Sequence, residues 1–303
     1  MDKKGLIFAF FTALVSGFSI FVNKFGLKES DPFVFTGMKN IAVVVFLISA
    51  IILLGEIGEL RRLSAKQWGK LTLIGLFGGS IPFLLFFKGL SMTSAATGSF
   101  IHKTMFVFVT MGAVIFLKER AEKPFIIGAV LLLAGNALLL KLSSFSLNTG
   151  DLLILIATLL WSVENIISKH ALKEISSSVV AFGRMAIGFL FILLFWAFTG
   201  RIETALSLTM PQLSWILLTS AFLFLYIISW YYALQKLKAS VATSILLLGS
   251  PITTLLSMAF LGADVTIGQA FGMLMIVAGI VMAVWFTQIS NLFRYIAQSH
   301  VAK

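Results

Sequence analysis

Leu27-Lys28-Glu29 closes the first apolar run of this chain, and Leu172-Lys173-Glu174 closes the sixth. The likeness extends outward in both directions. Lys24 is matched by Lys169 and Gly5 by Gly150. Ala96-Thr97 returns as Ala242-Thr243, and Gly128 and Ala134-Gly135 return as Gly272 and Ala278-Gly279. The offset stays between 144 and 146 residues, close to half of the 303. The sequence therefore reads as a duplication, with one repeat expected over residues 1–144 and a second over 145–303 that includes a short tail.

Composition places both copies in lipid. Hydrophobic residues make up 59% of the chain and charged residues 12%, whereas a soluble domain is usually ~25% charged. Ten apolar runs are expected to cross the bilayer, at residues 5–23, 33–54, 68–87, 95–117, 124–140, 151–167, 179–199, 213–234, 240–261 and 267–287. Each is close to the ~20 residues that a helix needs for a ~30 Å hydrocarbon core. The runs are continuous rather than alternating, so helices are indicated and a barrel is not. The fold class is an all-α integral membrane protein of ten transmembrane helices.

The net charge of +11 flanks these runs instead of forming a surface that could follow a phosphate backbone, so no nucleic-acid partner is expected. With the N-terminus inside, 15 of the 23 Lys and Arg fall on the cytoplasmic side and 5 on the other. This bias predicts a multi-pass protein of the cell (plasma or inner) membrane with both termini in the cytoplasm. Five spans per repeat is an odd number. The second copy must then enter the membrane from the opposite side, which makes the repeats inverted and places a binding site near the pseudo-twofold axis.

Several chemistries are not indicated. There is no cysteine, hence no disulfide, thiol nucleophile or Cys-based metal site. GxxxxGK[ST], HExxH and a Ser-centred nucleophile elbow are missing, so neither an ATPase nor another enzyme is expected. No cofactor and no metal is expected.

Each half opens with a helix ending near a lysine, followed by a helix with an embedded basic residue: Lys24 with Lys39, then Lys169 with Arg184. An aromatic segment follows, Phe86-Phe87-Lys88-Gly89-Leu90 in one half and Tyr231-Tyr232-Ala233-Leu234 in the other. The second half continues with a small-residue run at 239–244 and Pro251, where the first half has Met105. Leu117-Lys118-Glu119-Arg120 forms a junction in the first half, and Gly-rich last helices span 128–135 and 272–279. In this order, over nearly the whole chain, the sequence resembles the EamA-like branch of the drug/metabolite transporter superfamily. The resemblance implies a secondary transporter of small metabolites, often an exporter, and does not fix the substrate.

Charges inside the spans are costly, at least ~2.5–3.5 kcal/mol each near the bilayer centre, and usually face the bundle interior. Lys103 lies deep in the fourth span on a stripe with Ala95, Ser99, Phe106 and Thr110. The stripe reads as cavity-facing, with Lys103 either binding a substrate anion or forming a structural ion pair. Glu164 shares a helix face with Trp161; their repeat mates are Ser19 and Ser16. Together they could hold an ammonium group, or Glu164 could carry a proton. The alternative is a salt bridge from Glu164 to Lys103 or Arg184. His102 is a candidate protonation switch or a packed neutral ring. Tyr231 joins these as a candidate cavity residue. Lys39 and Arg184, mates of one another, read as gate cations or structural anchors. Pro82, following Gly78-Gly79-Ser80, and Gly249-Ser250-Pro251 mark helix breaks that could act as hinges or stay as fixed kinks. The glycine faces of the last helix of each half suit close packing, and a monomer or weak homodimer is expected.

The leading expectation is a transporter of an amino acid or related zwitterion across the lipid bilayer, with possible proton coupling. An anion carrier of the same fold and a non-transporting membrane scaffold are the alternatives.

Overall fold

The computed structural model describes residues 2–139 and 148–286. The expected repeat boundary at 144/145, the span ends at Leu140 and Thr287, and the tail lie outside the described residues. Ten apolar helices occur: α1 (Lys3–Gly26), α2 (Pro32–Leu53), α3 (Ala65–Met92), α4 (Ala95–Phe116), α5 (Lys123–Leu139), α6 (Thr149–Ala171), α7 (Ser177–Thr199), α8 (Met210–Lys236), α9 (Ala239–Leu261) and α10 (Ile267–Trp285). Among the described residues nine are long and apolar enough to cross a membrane, and α5 is a shorter apolar helix. There is no strand among the described residues.

Local chemistry sets the helix ends. Asp2 accepts from the Gly5 N–H, and Asp31 accepts from Phe33 and Val34 just before Pro32 opens α2. Ser64 with Gln67, Asn148 with Asp151, and Thr266 with Gln269 form reciprocal capping boxes. Gly200 and Gly262 end α7 and α9 at φ of 68° and 63°, a left-handed conformation that glycine adopts without a side-chain clash.

The inversion is visible in equivalent contacts. Gly5, at the start of α1, packs on Lys236 and Leu237 at the end of α8. Its mate Gly150, at the start of α6, packs on Gly89 and Met92 at the end of α3. Lys24 donates to the carbonyls of Leu90 (2.7 Å), Ser91 (3.4 Å) and Thr93 at the end of α3. Lys169 does the same to Leu234 (2.6 Å), Gln235 (3.3 Å) and Leu237 (2.6 Å) at the end of α8. Each ammonium satisfies carbonyls that a helix C-terminus leaves open. The opening helix of each half thus pairs with the third helix of the other, while α2 meets α7 and α5 meets α10.

The α5–α10 contact uses the glycine faces. A Cβ on Gly128 would lie 2.7 Å from the Gly279 carbonyl oxygen, and one on Gly135 would lie 2.6 Å from that of Gly272. These small-residue faces, which could have met across a dimer, meet within one chain.

Four helices are irregular among the described residues, α10 among them because it turns π-helical from Met282 onward. α3 contains a π-helical stretch, Gly75–Ser80, directly before Pro82. α9 is interrupted between Leu246 and Gly249, where the Leu247 carbonyl accepts from the Ser250 N–H at 3.0 Å because Pro251 offers none. α4 breaks at Thr104, two residues beyond the position that aligns with the α9 break, and no proline is present there. We name the face where α1 begins the N-terminal face, and the other the distal face.

Candidate functional site

A cavity of about 60 Å³ lies between the repeats. One wall is polar, with Ser16, Ser19 and Asn23 of α1, Lys39 of α2 and His102 of α4. Phe83, Phe86 and Phe87 of α3, Trp161 of α6, and Tyr226 and Trp230 of α8 supply an aromatic wall, and Arg184 of α7 closes it. The aromatic side chains lock one another in place. Trp161 meets Phe83 edge-on at 5.3 Å, and His102 at 5.1 Å; Tyr226 stacks on Trp230 at 6.4 Å. His102 Nδ1 has no partner among the described residues.

Of the residues expected at the site, His102, Trp161, Lys39 and Arg184 line this cavity. Ser99, Lys103, Glu164 and Tyr231 are buried around it but do not line it. The α4 stripe through Ser99 and Lys103 is turned away, and His102 and Met105 face the cavity instead. Pro82, Gly249 and Pro251 lie at the helix irregularities described above.

Behind the aromatic wall sits a closed polar cluster. Glu164, fully buried, accepts from the Tyr231 hydroxyl at 2.6 Å and from Ser168. Arg184 Nη1 lies 3.9 Å from Glu164 Oε2, so the ion pair forms with Arg184 and not with Lys103. Arg184 also donates to the Gly78 carbonyl at 3.1 Å, as Trp161 Nε1 does at 2.9 Å. Pro82, four residues on, has no N–H to offer that carbonyl, which leaves it to side-chain donors. Gly78 is required beside it: a Cβ there would lie 2.5 Å from Glu164 Cγ.

Lys39 and Lys103 are fully buried and have no carboxylate partner among the described residues. Lys39 donates to Asn23 Oδ1 at 2.5 Å and lies over the rings of Phe87 (4.4 Å) and Phe35 (5.0 Å). Lys103 donates to Ser16 Oγ at 2.6 Å. Its head occupies space beside Gly249, where a Cβ would lie 2.8 Å from Lys103 Cε and would push it aside.

The two halves of the cavity are unequal. Ser19 and Asn23 line its distal side, whereas their mates Glu164 and Ser168 are locked in the polar cluster. The N-terminal face is also bolted across the repeats. Glu119 caps the start of α9, accepting from the N–H groups of Ala239 (2.7 Å) and Ser240 (3.2 Å). Glu59 accepts from Ser176 N–H at 2.7 Å, and Glu56 from the Ser178 hydroxyl, at the start of α7. Lys70 pairs with Glu174 at 2.8 Å and holds that carboxyl below the usual carboxylate range. At the distal face Val265 stands where the first half has Glu119, and the neighbouring Asp264 is exposed and has no partner among the described residues. Arg201 and Asp31 meet there at 3.6 Å, and Gln212, Trp196 and Gln269 donate across the repeats to the carbonyls of Glu29 (2.5 Å), Phe33 (3.2 Å) and Leu139 (2.9 Å), so the distal face is held by neutral donors where the N-terminal face uses carboxylates.

A larger groove, about 500 Å³, runs between α4 and α6. Its lining is apolar apart from Ser162, and Met111, Ile115 and Phe116 in it are exposed on the outer surface, where lipid contact is expected of apolar side chains. The central cavity is smaller but is the one lined by charged and polar side chains.

Comparison with known proteins agrees with this architecture. A crystal structure superposes with a TM-score of 0.77 over 95% of this chain and 99% of the other, at 16% identity, a likeness of fold. An uncharacterized transporter of Archaeoglobus fulgidus is 29% identical over 246 residues, covering 78% of this chain and 81% of that protein. An uncharacterized transporter of Clostridium kluyveri is 24% identical with 99% of both chains covered, and the uncharacterized transporter YyaM of Bacillus subtilis is 24% identical over 89% of this chain and 92% of its own. The EamA-like transporter family model matches twice, at residues 3–141 and 148–285, one match to each half of the inverted bundle. This multi-pass membrane protein belongs to the EamA-like transporter family.

Proposed function

We propose that the chain is a secondary transporter that exports a small organic anion by alternating access between its two faces. The observation that carries the substrate class is the cavity wall. It presents two cations, Lys39 and Arg184, and no carboxylate, while Glu164 is held behind it by Tyr231, Ser168 and Arg184. The aromatic side chains suit a planar or apolar body attached to the anionic head.

Unequal packing of inverted mates supports alternating access, because exchanging the conformations of the two repeats would open the face now bolted. The cavity has room for a few waters and is far below the ~300–1,000 Å³ of ordinary ligand sites. A substrate must therefore widen it. The charge bias supports cytoplasmic termini, which makes the bolted N-terminal face the cytoplasmic one. The family resemblance supports export. A zwitterionic substrate has one observation in its favour: Glu164 Oε2 carries no hydrogen bond and could receive an ammonium group if α6 moved away from α7.

Thermal stability of the detergent-purified protein tests these readings, because a ligand stabilises by RT ln(1 + [L]/Kd), about 2.7 kcal/mol at 100 Kd. Benzoate is expected to raise the midpoint, and benzamide and benzylamine to leave it unchanged. A shift with L-phenylalanine and none with benzoate would move the assignment to the zwitterion. In proteoliposomes, the stabilising compound should be taken up, and an imposed pH gradient should change its rate if protons are coupled. Absence of flux for every stabilising compound would sink the transport proposal.

A further inference from the structure

The geometry points to Ser16 and Ser19 of α1 as an oxyanion subsite, with Lys39 as its cation and Lys103 and Asn23 as positioning residues. This rests on the anion reading above and names the atoms that hold the anionic head.

The reasoning begins with the direction of hydroxyl hydrogens. Buried hydroxyls in these helices commonly donate back to the carbonyl four residues earlier. Thr12 does so at 2.6 Å, Thr158 and Ser162 at 2.7 Å, and Ser220 at 2.6 Å. Ser16 and Ser19 do not. Their oxygens are instead occupied as acceptors. Lys103 Nζ donates to Ser16 Oγ at 2.6 Å, and Asn23 Nδ2 donates to the Ser19 carbonyl at 2.7 Å and to Ser19 Oγ at 3.0 Å. A hydroxyl whose oxygen receives an N–H keeps its own hydrogen to donate, and both serines line the cavity.

The orientation of Asn23 is fixed on both sides. Its Oδ1 accepts from Lys39, so its Nδ2 must face Ser19. Lys39 has three donors and uses one on Asn23. Ser16 and Ser19 are three residues apart and share a helix face, with Cβ atoms ~5–6 Å apart. Two O–H groups at that spacing can each meet one oxygen of a carboxylate or a phosphate, with Lys39 beside them. Lys103 does not line the cavity. It acts through Ser16, in a slot that Gly249 leaves open. This gives a buried lysine without a carboxylate partner a role that a structural ion pair does not.

The test uses the full chain in detergent, with benzoate and phenyl phosphate as probes, taking whichever the native protein binds more tightly. Ser16→Ala and Ser19→Ala should each weaken binding about tenfold, the loss of one hydrogen bond to a charged group. Ser16→Thr, which keeps the hydroxyl, should stay within about twofold. Lys103→Met should weaken binding in the native background and have no further effect in Ser16→Ala. Native-level binding by both alanine variants would overturn the subsite, and equal Lys103→Met effects in the two backgrounds would overturn the relay. The serine variants decide the subsite whether or not Lys103→Met folds. If the native protein binds neither anion, the substrate reading above fails instead.

Discussion

Glu164 and Arg184 illustrate how charges survive inside a lipid-embedded bundle. Each carries partners beyond the other: Tyr231 and Ser168 on the carboxylate, the Gly78 carbonyl on the guanidinium. Removing one partner of a buried pair leaves the other uncompensated, at a cost of about 3–5 kcal/mol. Glu164→Leu should therefore lower the thermal midpoint sharply, and adding Arg184→Met should recover part of the loss. If the double variant is as unstable as the sum of the singles, the two side chains are not coupled as described. At this scale the sequence was half legible. A glutamate deep in an apolar run announces itself through the cost of burying it, but its partner depends on which helices meet. Ser16 and Ser19 carried no such signal. Serine is ordinary in a helix, and both entered the reading only as the unremarked mates of Trp161 and Glu164.

Among the helices, close backbone approach and carbonyl capture do the positioning. The α5–α10 crossing has no room for a Cβ at Gly135 or Gly128. Gly135→Leu should thus shift the thermal midpoint down by an amount typical of overpacking, about 1–3 kcal/mol, whereas Gly69→Ala, with nothing within 4 Å of the added carbon, should leave it nearly unchanged. A second expectation follows from the lysine caps. Lys24→Met and Lys169→Met should destabilise by similar amounts, because each ammonium meets the equivalent three carbonyls; a large inequality between them would argue against equivalent roles. Apolar length made nearly every helix readable. The glycine and proline signals located the irregular stretches of α3 and α9. The α4 break at Thr104 was not readable, since no residue there forbids a helix.

For the whole molecule, the inverted arrangement followed from an odd number of spans and a charge count. The inequality of the two faces did not, because it depends on where Glu119 finds its partners. The lack of native cysteines makes this testable. A disulfide between Glu119→Cys and Ser240→Cys should form readily and abolish flux by holding the N-terminal face shut. The mated pair Val265→Cys and Ser94→Cys should form slowly, and faster when an anion is supplied. Equal rates for the two pairs in the absence of substrate would mean that the faces are not closed to different degrees.

The lysine caps also bear on how the protein is made. The carbonyls that receive Lys24 lie 66 to 69 residues further along the chain, and those that receive Lys169 lie 65 to 68 further. During translation each of these lysines emerges well before its acceptors exist, and stays at the water boundary until the third helix of its half has been synthesised. α1 then waits for α8, five helices later still, before its main packing surface is covered. The order of synthesis thus runs against the order of contacts, and the first half of the nascent chain must persist in the bilayer as an open scaffold until the second half arrives to complete it.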